Sequence, residues 1–152
     1  MKRLAVILGL QLLAIGTASA ADTPEFRLKH ALTLKCSFTA SATTEFKDGQ
    51  RTISSAKDEG QSTFSVINIQ KGAAKVTGNN RAADVVVRYA QGEIWFIETT
   101  PAGNLVITTV FPLYVQGTEE FVVVESRHSV IGTSVLGEQS SGGCKSINDA
   151  SR

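Results

Sequence analysis

Signals for tight turns recur about every eight to twelve residues through most of this chain, which leaves room only for short elements between them. The intervening segments are rich in β-branched and aromatic residues, and none shows a convincing helical period. Consecutive strands joined by short turns pair as neighbours, so the pattern predicts one all-β domain: a small antiparallel barrel or roll of eight or nine strands. A sandwich whose first and last strands lie side by side would satisfy the same pattern.

The turn signals and the segments between them define the predicted strands. Asp48-Gly49 is a strong two-residue hairpin signal, and Gly78-Asn79-Asn80 is a further turn because Gly and Asn tolerate positive φ. Residues 55–62 are polar and predict a loop, and a longer connection contains Pro112 and Gly117. The predicted strands are 43–46, 51–53, 63–69, 73–77, 84–89, 94–99, 105–111 and 121–130, with a last short strand near 137–145.

The segment from Phe26 to Ala40 alternates between mainly apolar even positions and mostly polar odd positions. Successive side chains of a strand point to opposite faces, so the alternation predicts a first strand with one buried face. His30 and Cys36 fall on that face about 20 Å apart, which is too far for one metal ion. We therefore expect His30 to be an interior or rim histidine rather than a ligand.

Cys36 and Cys144 are the two cysteines of the chain and lie 108 positions apart. In an oxidising compartment such a pair is expected to form a disulfide, and the chain-entropy model assigns a loop of this length about 4 to 5 kcal/mol. A bridge between the first and last strands also fits barrel closure, because bridged Cα atoms lie within about 7 Å. A metal site is not predicted, since only His30 and His128 could join the two sulfurs.

The first twenty residues have the layout of a secretory signal peptide. A basic start and an apolar run over residues 4–15 precede the predicted cleavage site between Ala20 and Ala21. The run is shorter than the ~20 residues that span a bilayer, so we expect a periplasmic or secreted domain over residues 21–152 without a stable membrane anchor. That domain keeps all 14 Asp and Glu but 13 of the 15 Lys and Arg, for a formal charge of −1. Nucleic acid is not an expected partner, because proteins that bind it carry a basic excess.

The segment from Ser126 to Ser129 is the densest cluster of functional side-chain types. In a strand, Ser126 and His128 share one face about 6.6 Å apart, and Arg127 points the other way. A nucleophilic serine needs a base within hydrogen-bond reach and an orienting acid. Neither a Gly-x-Ser-x-Gly elbow nor an identifiable acid accompanies Ser126, which disfavours a hydrolase.

The same segment has a binding and a structural interpretation. Arg127 can present its planar guanidinium to an anionic ligand, or Arg127 and His128 can pair with carboxylates and backbone carbonyls. Both faces of this strand are apolar at first and become polar only towards its end. We therefore expect the polar end to lie at a rim of the barrel, where long side chains reach solvent or a ligand.

Other side chains carry weaker signals. Glu98 and Glu125 each follow an apolar run and could form paired carboxylates, but surface positions are the ordinary outcome for Glu. Aromatic residues at alternating strand positions could line a small-ligand cavity, although they more often fill a core. The aromatic residues in question are Tyr89, Trp95, Phe96 and Phe111. No cofactor is predicted.

Several segments resemble a group of small exported proteobacterial proteins with two terminal cysteines and a shared Ser-Arg-His segment. The matching segments are Leu34-Lys35-Cys36-Ser37-Phe38, Gly103 with Thr108-Thr109-Val110-Phe111, Ser126-Arg127-His128, and Gly143-Cys144. The resemblance implies a Gram-negative periplasmic setting and supplies no mechanism. Small disulfide-linked periplasmic barrels also include lysozyme inhibitors, but the Ser-Gly-x-x-Tyr type of motif associated with them is not found here.

The sequence thus favours a non-enzymatic exported β-barrel that binds a small ligand or an envelope protein, with Ser126, Arg127 and His128 as candidate binding residues. The alternatives are a hydrolase centred on Ser126 and His128, or an inhibitor of an envelope enzyme. An apolar ligand requires an interior cavity, whereas a solidly packed interior without a groove favours a surface-mediated partner.

Overall fold

The computed structural model describes residues 23–78 and 81–147, so the predicted signal peptide, its cleavage site and two residues of the predicted turn at 78–80 lie outside the described residues. The described residues form one helix and nine strands. The elements are α1 (Pro24–Lys29), β1 (Leu34–Lys47), β2 (Gln50–Lys57), β3 (Gln61–Asn68), β4 (Ala73–Gly78), β5 (Arg81–Ala90), β6 (Glu93–Thr99), β7 (Leu105–Tyr114), β8 (Phe121–Ile131) and β9 (Ser134–Ser146). No helix in these two ranges is long and apolar enough to cross a bilayer.

Eight of the strands close into an antiparallel barrel. The sheet runs β1-β3-β4-β5-β6-β7-β8-β9, and β9 pairs with β1 again. Cys36 lies directly opposite Cys144 in this closing pair, and the two form a disulfide. The predicted all-β fold and the bridge between first and last strands are confirmed, and the barrel is chosen over the sandwich.

The ninth strand, β2, extends the barrel wall on one side. β1 pairs with β3 through residues 34–37 and with β2 through residues 40–47, so both strands use the same edge of β1. β8 continues its pairing with β9 beyond His128, which is the last β8 residue that pairs with β7. We call β2, β1, β9 and β8 the four-stranded wall. At the open end its strands extend beyond β3 and β7, the strands that flank it in the barrel.

A β-bulge at Thr39 reverses the alternation of β1. The register with β9 shifts between Phe38 and Ala40, so even positions point inward before the bulge and odd positions point inward after it. Ala40, predicted on the buried face, is therefore exposed. The bulge lies where β3 gives way to β2, and the Phe38 N–H donates to the Gly60 carbonyl (2.9 Å) in the connection between them.

The predicted first strand is wrong before residue 34, where the chain forms α1. The hydroxyl of Thr23 accepts a hydrogen bond from the Phe26 N–H (3.2 Å), and Pro24 occupies the first turn, both of which favour a helix start. Leu28 is fully buried and His30 ends the helix, with its Nδ1 atom 2.8 Å from the Phe26 carbonyl oxygen. His30 is therefore an exposed residue at a helix end, not a residue of a buried strand face.

Strand lengths also differ from the prediction. The predicted loop over 55–62 shrinks to residues 58–60, because its polar flanks pair with β1 as parts of β2 and β3. Pro112 belongs to β7, at a register shift where its missing N–H is tolerated. The last strand contains 13 residues and is not short. Main-chain pairing with distant strands lengthens all of these strands, and local composition does not predict such pairing.

Helix α1 closes one end of the barrel over a packed core. Gly92, in the β5–β6 turn, has a φ of 86°, and any side chain there would meet Glu25 of α1 and Pro112. Beneath the helix, Phe64 and Phe96 stack with their ring centroids 3.9 Å apart. The largest fully buried side chains are Phe64, Phe96, Phe121, Leu28, Leu34, Ile94, Val76, Val87, Val106, Val110, Val123 and Thr108. Most of the barrel interior is thus filled by side chains.

Candidate functional site

Strand β8 carries the three candidate residues to the open end of the barrel, opposite α1. Ser126, Arg127 and His128 pair with Gln139, Glu138 and Gly137 of β9. Arg127 shares the inward face with buried Phe121 and Val123, whereas Ser126 and His128 share the outward face. The structure therefore places Arg127 and His128 on opposite sides of the sheet at a rim, as the alternation predicts.

Ser126 and His128 do not form a catalytic pair. The Ser126 hydroxyl accepts a hydrogen bond from the Gln139 side-chain amide (3.5 Å). Within residues 23–78 and 81–147, no hydrogen bond joins Ser126 to His128 and no carboxylate pairs with the imidazole. His128 is exposed, and its cross-strand partner Gly137 has no side chain. The chemistry that a serine hydrolase requires, a base and an orienting acid, is not assembled around Ser126.

Arg127 points into the open end and contacts Glu125. Its Nη2 atom lies 3.4 Å from Glu125 Oε1, and Glu125 Oε2 accepts a hydrogen bond from the Thr108 hydroxyl (3.0 Å). The Arg127 Nε–H is buried and has no hydrogen-bond partner among the described residues. The guanidinium is thus partly satisfied, and the part of it that reaches solvent remains free for a further acceptor.

A polar recess of about 260 Å³ surrounds this pair at the open end. Phe38 forms its apolar part, and the remaining lining is polar or charged. The residues lining this rim recess are Phe38, Asp58, Gly60, Gln61, Ser62, Glu125, Arg127, Glu138 and Ser140. Three carboxylates and one guanidinium give the lining two more formal negative charges than positive ones.

Segments far apart in sequence build the rim recess. Asp58 and Gly60 lie in the kink between β2 and β3, where Asp58 Oδ1 accepts a hydrogen bond from the Gly60 N–H (2.8 Å). Glu138 and Ser140 come from inward positions of β9, next to Arg127 and Glu125 of β8. The connection between β2 and β3 lies at the bulge of β1, because β1 pairs with β3 before the bulge and with β2 after it. The bulge therefore reverses which side chains of β1 point inward and also shapes the site.

Sequence reasoning missed the buried acids. Glu98 and Glu125 were expected on the surface, but both are buried on inward faces near the open end. Glu98 continues the buried alternation of Ile94 and Phe96, as Glu125 continues that of Phe121 and Val123. Extending the two-residue period through the acids would have located both of them. Asp58 and Glu138 had no comparable signal, because their inward orientation depends on the kink and on barrel closure.

The aromatic residues do not form a ligand cavity. Phe96 stacks on Phe64 in the core, whereas Trp95 points outward and donates a hydrogen bond from its Nε1 to Glu93 (2.9 Å). Tyr89 and Phe111 are half-buried, on different strands. In the part of the chain that the structure describes, no group of three or more His, Cys, Asp or Glu residues is arranged to hold a metal ion.

Comparison of the chain with models of protein families, with curated proteins and with solved structures finds no match.

Proposed function

We propose that this chain is a non-enzymatic, exported binding barrel whose rim recess holds a small hydrophilic ligand bearing a cationic group. The observation that carries the proposal is the change of lining along the barrel axis. Side chains fill the interior beneath α1, whereas the open end replaces apolar core residues with charged and hydroxyl groups around about 260 Å³ of space. A binding site in a small barrel is expected at such a mouth.

An apolar ligand does not fit this interior. Lipids and similar molecules need an apolar cavity, and here Phe64, Phe96 and Val123 occupy the space that such a cavity would take. The rim recess offers carboxylates, hydroxyls and an amide, which recognise hydrogen-bonding solutes. The proposed ligand is therefore water-soluble and is held by polar contacts.

The net negative formal charge of the lining favours a ligand with a positively charged group. Glu125 is engaged by Arg127 and Thr108, whereas Glu138 makes no hydrogen bond or ion pair with another described residue. A primary amine or guanidine in the recess would donate a charge-assisted hydrogen bond to Glu138. Arg127 can donate hydrogen bonds to a second, anionic or carbonyl group of the same ligand.

Two further observations support a protein that is not catalytic and that works outside the cytoplasm. Ser126 and His128 lie on the outward face, away from the rim recess, and Gln139 binds the serine. The disulfide between Cys36 and Cys144 fits an oxidising compartment, and we place the protein in the periplasm of a Gram-negative cell or outside it.

The test is calorimetric titration of the exported protein with a matched panel of amines, guanidines, neutral polyols and carboxylates. We expect binding by members with a cationic group, and a loss of at least about tenfold in affinity for Glu138→Gln. Glu93→Gln, at the opposite end of the barrel, is the matched control and should bind as the wild type does.

Equal binding by Glu138→Gln and Glu93→Gln would place the ligand elsewhere. Preference for carboxylates would overturn the proposed charge of the ligand while leaving the recess as the site. The absence of binding by every class would overturn the proposed function itself.

A further inference from the structure

The outer face of the four-stranded wall separates charges that are mixed along the sequence. Its outward strand positions carry four Lys or Arg residues and no Asp or Glu: Lys35, Arg51, Lys57 and Lys145. The acids of the same strands all occupy inward positions: Glu45, Glu125 and Glu138. The four cations are exposed, and none forms an ion pair with another described residue.

The opposite side of the barrel lacks this separation. On β4, β5 and β6, outward Lys75 lies directly across from Asp84, and outward Arg88 is accompanied by Glu93. Cations and acids there balance one another. The basic outer face is thus a property of the four-stranded wall and not of the whole surface.

Exposed apolar residues gather on the same outer face. Phe46, Val135 and Val130 are consecutive cross-strand neighbours, and Ile53 lies on the adjacent row. These four side chains are between 46% and 68% exposed. Large apolar side chains scattered singly on a surface are ordinary, but a contiguous patch indicates an interaction site.

We propose that this face docks on the surface of an anionic phospholipid bilayer. The cations would lie against the headgroups while Phe46, Ile53, Val130 and Val135 enter the interfacial region. Charge complementarity selects this occupant, because a second copy seated on the same face would bring like charges together. Asp48 and Glu59 lie in connections at the margins of the face, whereas Glu120 lies against Gly143 near Lys145, so Arg51 and Lys57 are the cations beside the apolar patch that lack a neighbouring acid on the face. The inference is independent of the rim recess, which lies on the inner face of the wall.

The experiment is vesicle flotation of the exported protein, whose intact mass establishes that residues 1–20 are absent. Vesicles of phosphatidylcholine alone are compared with vesicles that also contain phosphatidylglycerol, at low and at physiological salt. We expect binding to the anionic vesicles that weakens as salt rises. Arg51→Glu/Lys57→Glu should lower the partition coefficient by at least roughly tenfold.

Controls separate docking from net charge and from general hydrophobicity. Lys75→Glu/Arg88→Glu makes the same change of net charge on the opposite side and should bind nearly as the wild type does. Phe46→Ser should weaken binding, whereas Val86→Ser, an exposed apolar residue of β5, should not. Circular dichroism establishes that each variant is folded, and sedimentation equilibrium gives its mass.

Three results would overturn the proposal. They are failure of the wild type to float with anionic vesicles at low salt, equal loss in both charge-reversal variants, and a dimer that Phe46→Ser dissociates. The last result would assign the face to a second copy of the chain.

Discussion

At the scale of single residues, the open end of the barrel depends on a short chain of polar contacts. Thr108 donates to Glu125, and Glu125 lies against Arg127. The side chain of Glu125 is only 9% exposed and that of Arg127 is 41% exposed, so the two partners are not equivalent. Loss of the arginine leaves a buried carboxylate with fewer partners. Neutralising the carboxylate instead removes the cost of keeping a negative charge away from water.

Arg127→Ala is therefore expected to lower the free energy of unfolding by about 1 to 2 kcal/mol, because a buried carboxylate loses a charge-assisted contact. Chemical denaturation measures the change. Glu125→Gln and the double variant complete a cycle, and the arginine substitution should cost less when Glu125 is already neutral. Additive effects would show that the two side chains are not coupled.

Tyr89 offers a second residue-scale test, at the junction between the barrel and α1. Its pKa is raised above the ordinary value by burial, by its hydrogen bond to Glu25 (3.2 Å) and by the negative charge of that residue. The folded state thus holds the phenolic proton more tightly than the unfolded state. The resulting stability is present below pH about 10 and is lost as pH rises through the folded-state pKa.

Ultraviolet titration should therefore include a late phase that belongs to the Tyr89 phenol. Tyr89→Phe should remove that late phase. Glu25→Gln should move it towards lower pH, because a negative charge is lost while burial remains. A late phase that persists in Tyr89→Phe would assign it to Tyr114 and contradict the prediction.

At the scale of elements, irregularities in the strands decide where the site forms. The bulge at Thr39 changes the inward-pointing positions of β1 from even to odd. Beyond the bulge, β2 replaces β3 as the strand paired with this edge of β1. A second irregularity lies in β3, where pairing with β4 shifts between Ser65 and Asn68. Val66, within this shift, has a φ of 52° and is 70% exposed.

Val66→Asn is expected to raise the free energy of unfolding by about 1 kcal/mol. A β-branched residue is strained at positive φ, whereas Asn tolerates it, and the exposed valine loses little burial on replacement. Thermal and chemical unfolding measure the change. Val86→Asn, at an exposed β5 position of ordinary conformation, is the control and should not stabilise. A loss of stability in Val66→Asn would contradict the assigned strain.

At the scale of the whole molecule, closure couples the two ends of the chain. β1 and β9 pair along most of their lengths, and the disulfide joins them across a sequence separation of 108 residues. The four-stranded wall consists of this closing pair with β2 and β8 on its two sides. The basic outer face and five of the nine residues that line the rim recess belong to that wall, so both features depend on closure.

Replacing Cys36 and Cys144 together by Ser is expected to lower the free energy of unfolding by about 3 to 5 kcal/mol, because the unfolded chain regains the entropy of a long loop. Denaturation of the reduced wild type should give a similar loss. Alkylation of the unreduced exported protein, measured by intact mass, should label no thiol. Labelling of two thiols in native material would show that the cysteines are not paired and that the disulfide does not contribute to stability.

The sequence by itself determined the features that depend on neighbouring residues. Asp48-Gly49 specifies a hairpin because Gly49 can adopt its φ of 79°, and alternation placed Val85 and Val87 on one buried face. Such signals are local, so the all-β class and most turns could be predicted, whereas the pairing of the two cysteines followed from their number and the expected oxidising compartment. The orientation of Arg127 opposite His128 followed from the same two-residue period.

Only the tertiary structure decided the features that depend on distant segments. Phe26 and Leu28 satisfy an alternating pattern, but the cap at Thr23 and burial of Leu28 under the barrel end make that segment a helix. The inward positions of Asp58 and Glu138 follow from a bulge and from closure, which are long-range pairings. Lys35 and Lys145 become neighbours for the same reason. Local periodicity determines which face a residue takes within one strand, whereas register and closure determine which residues share a site.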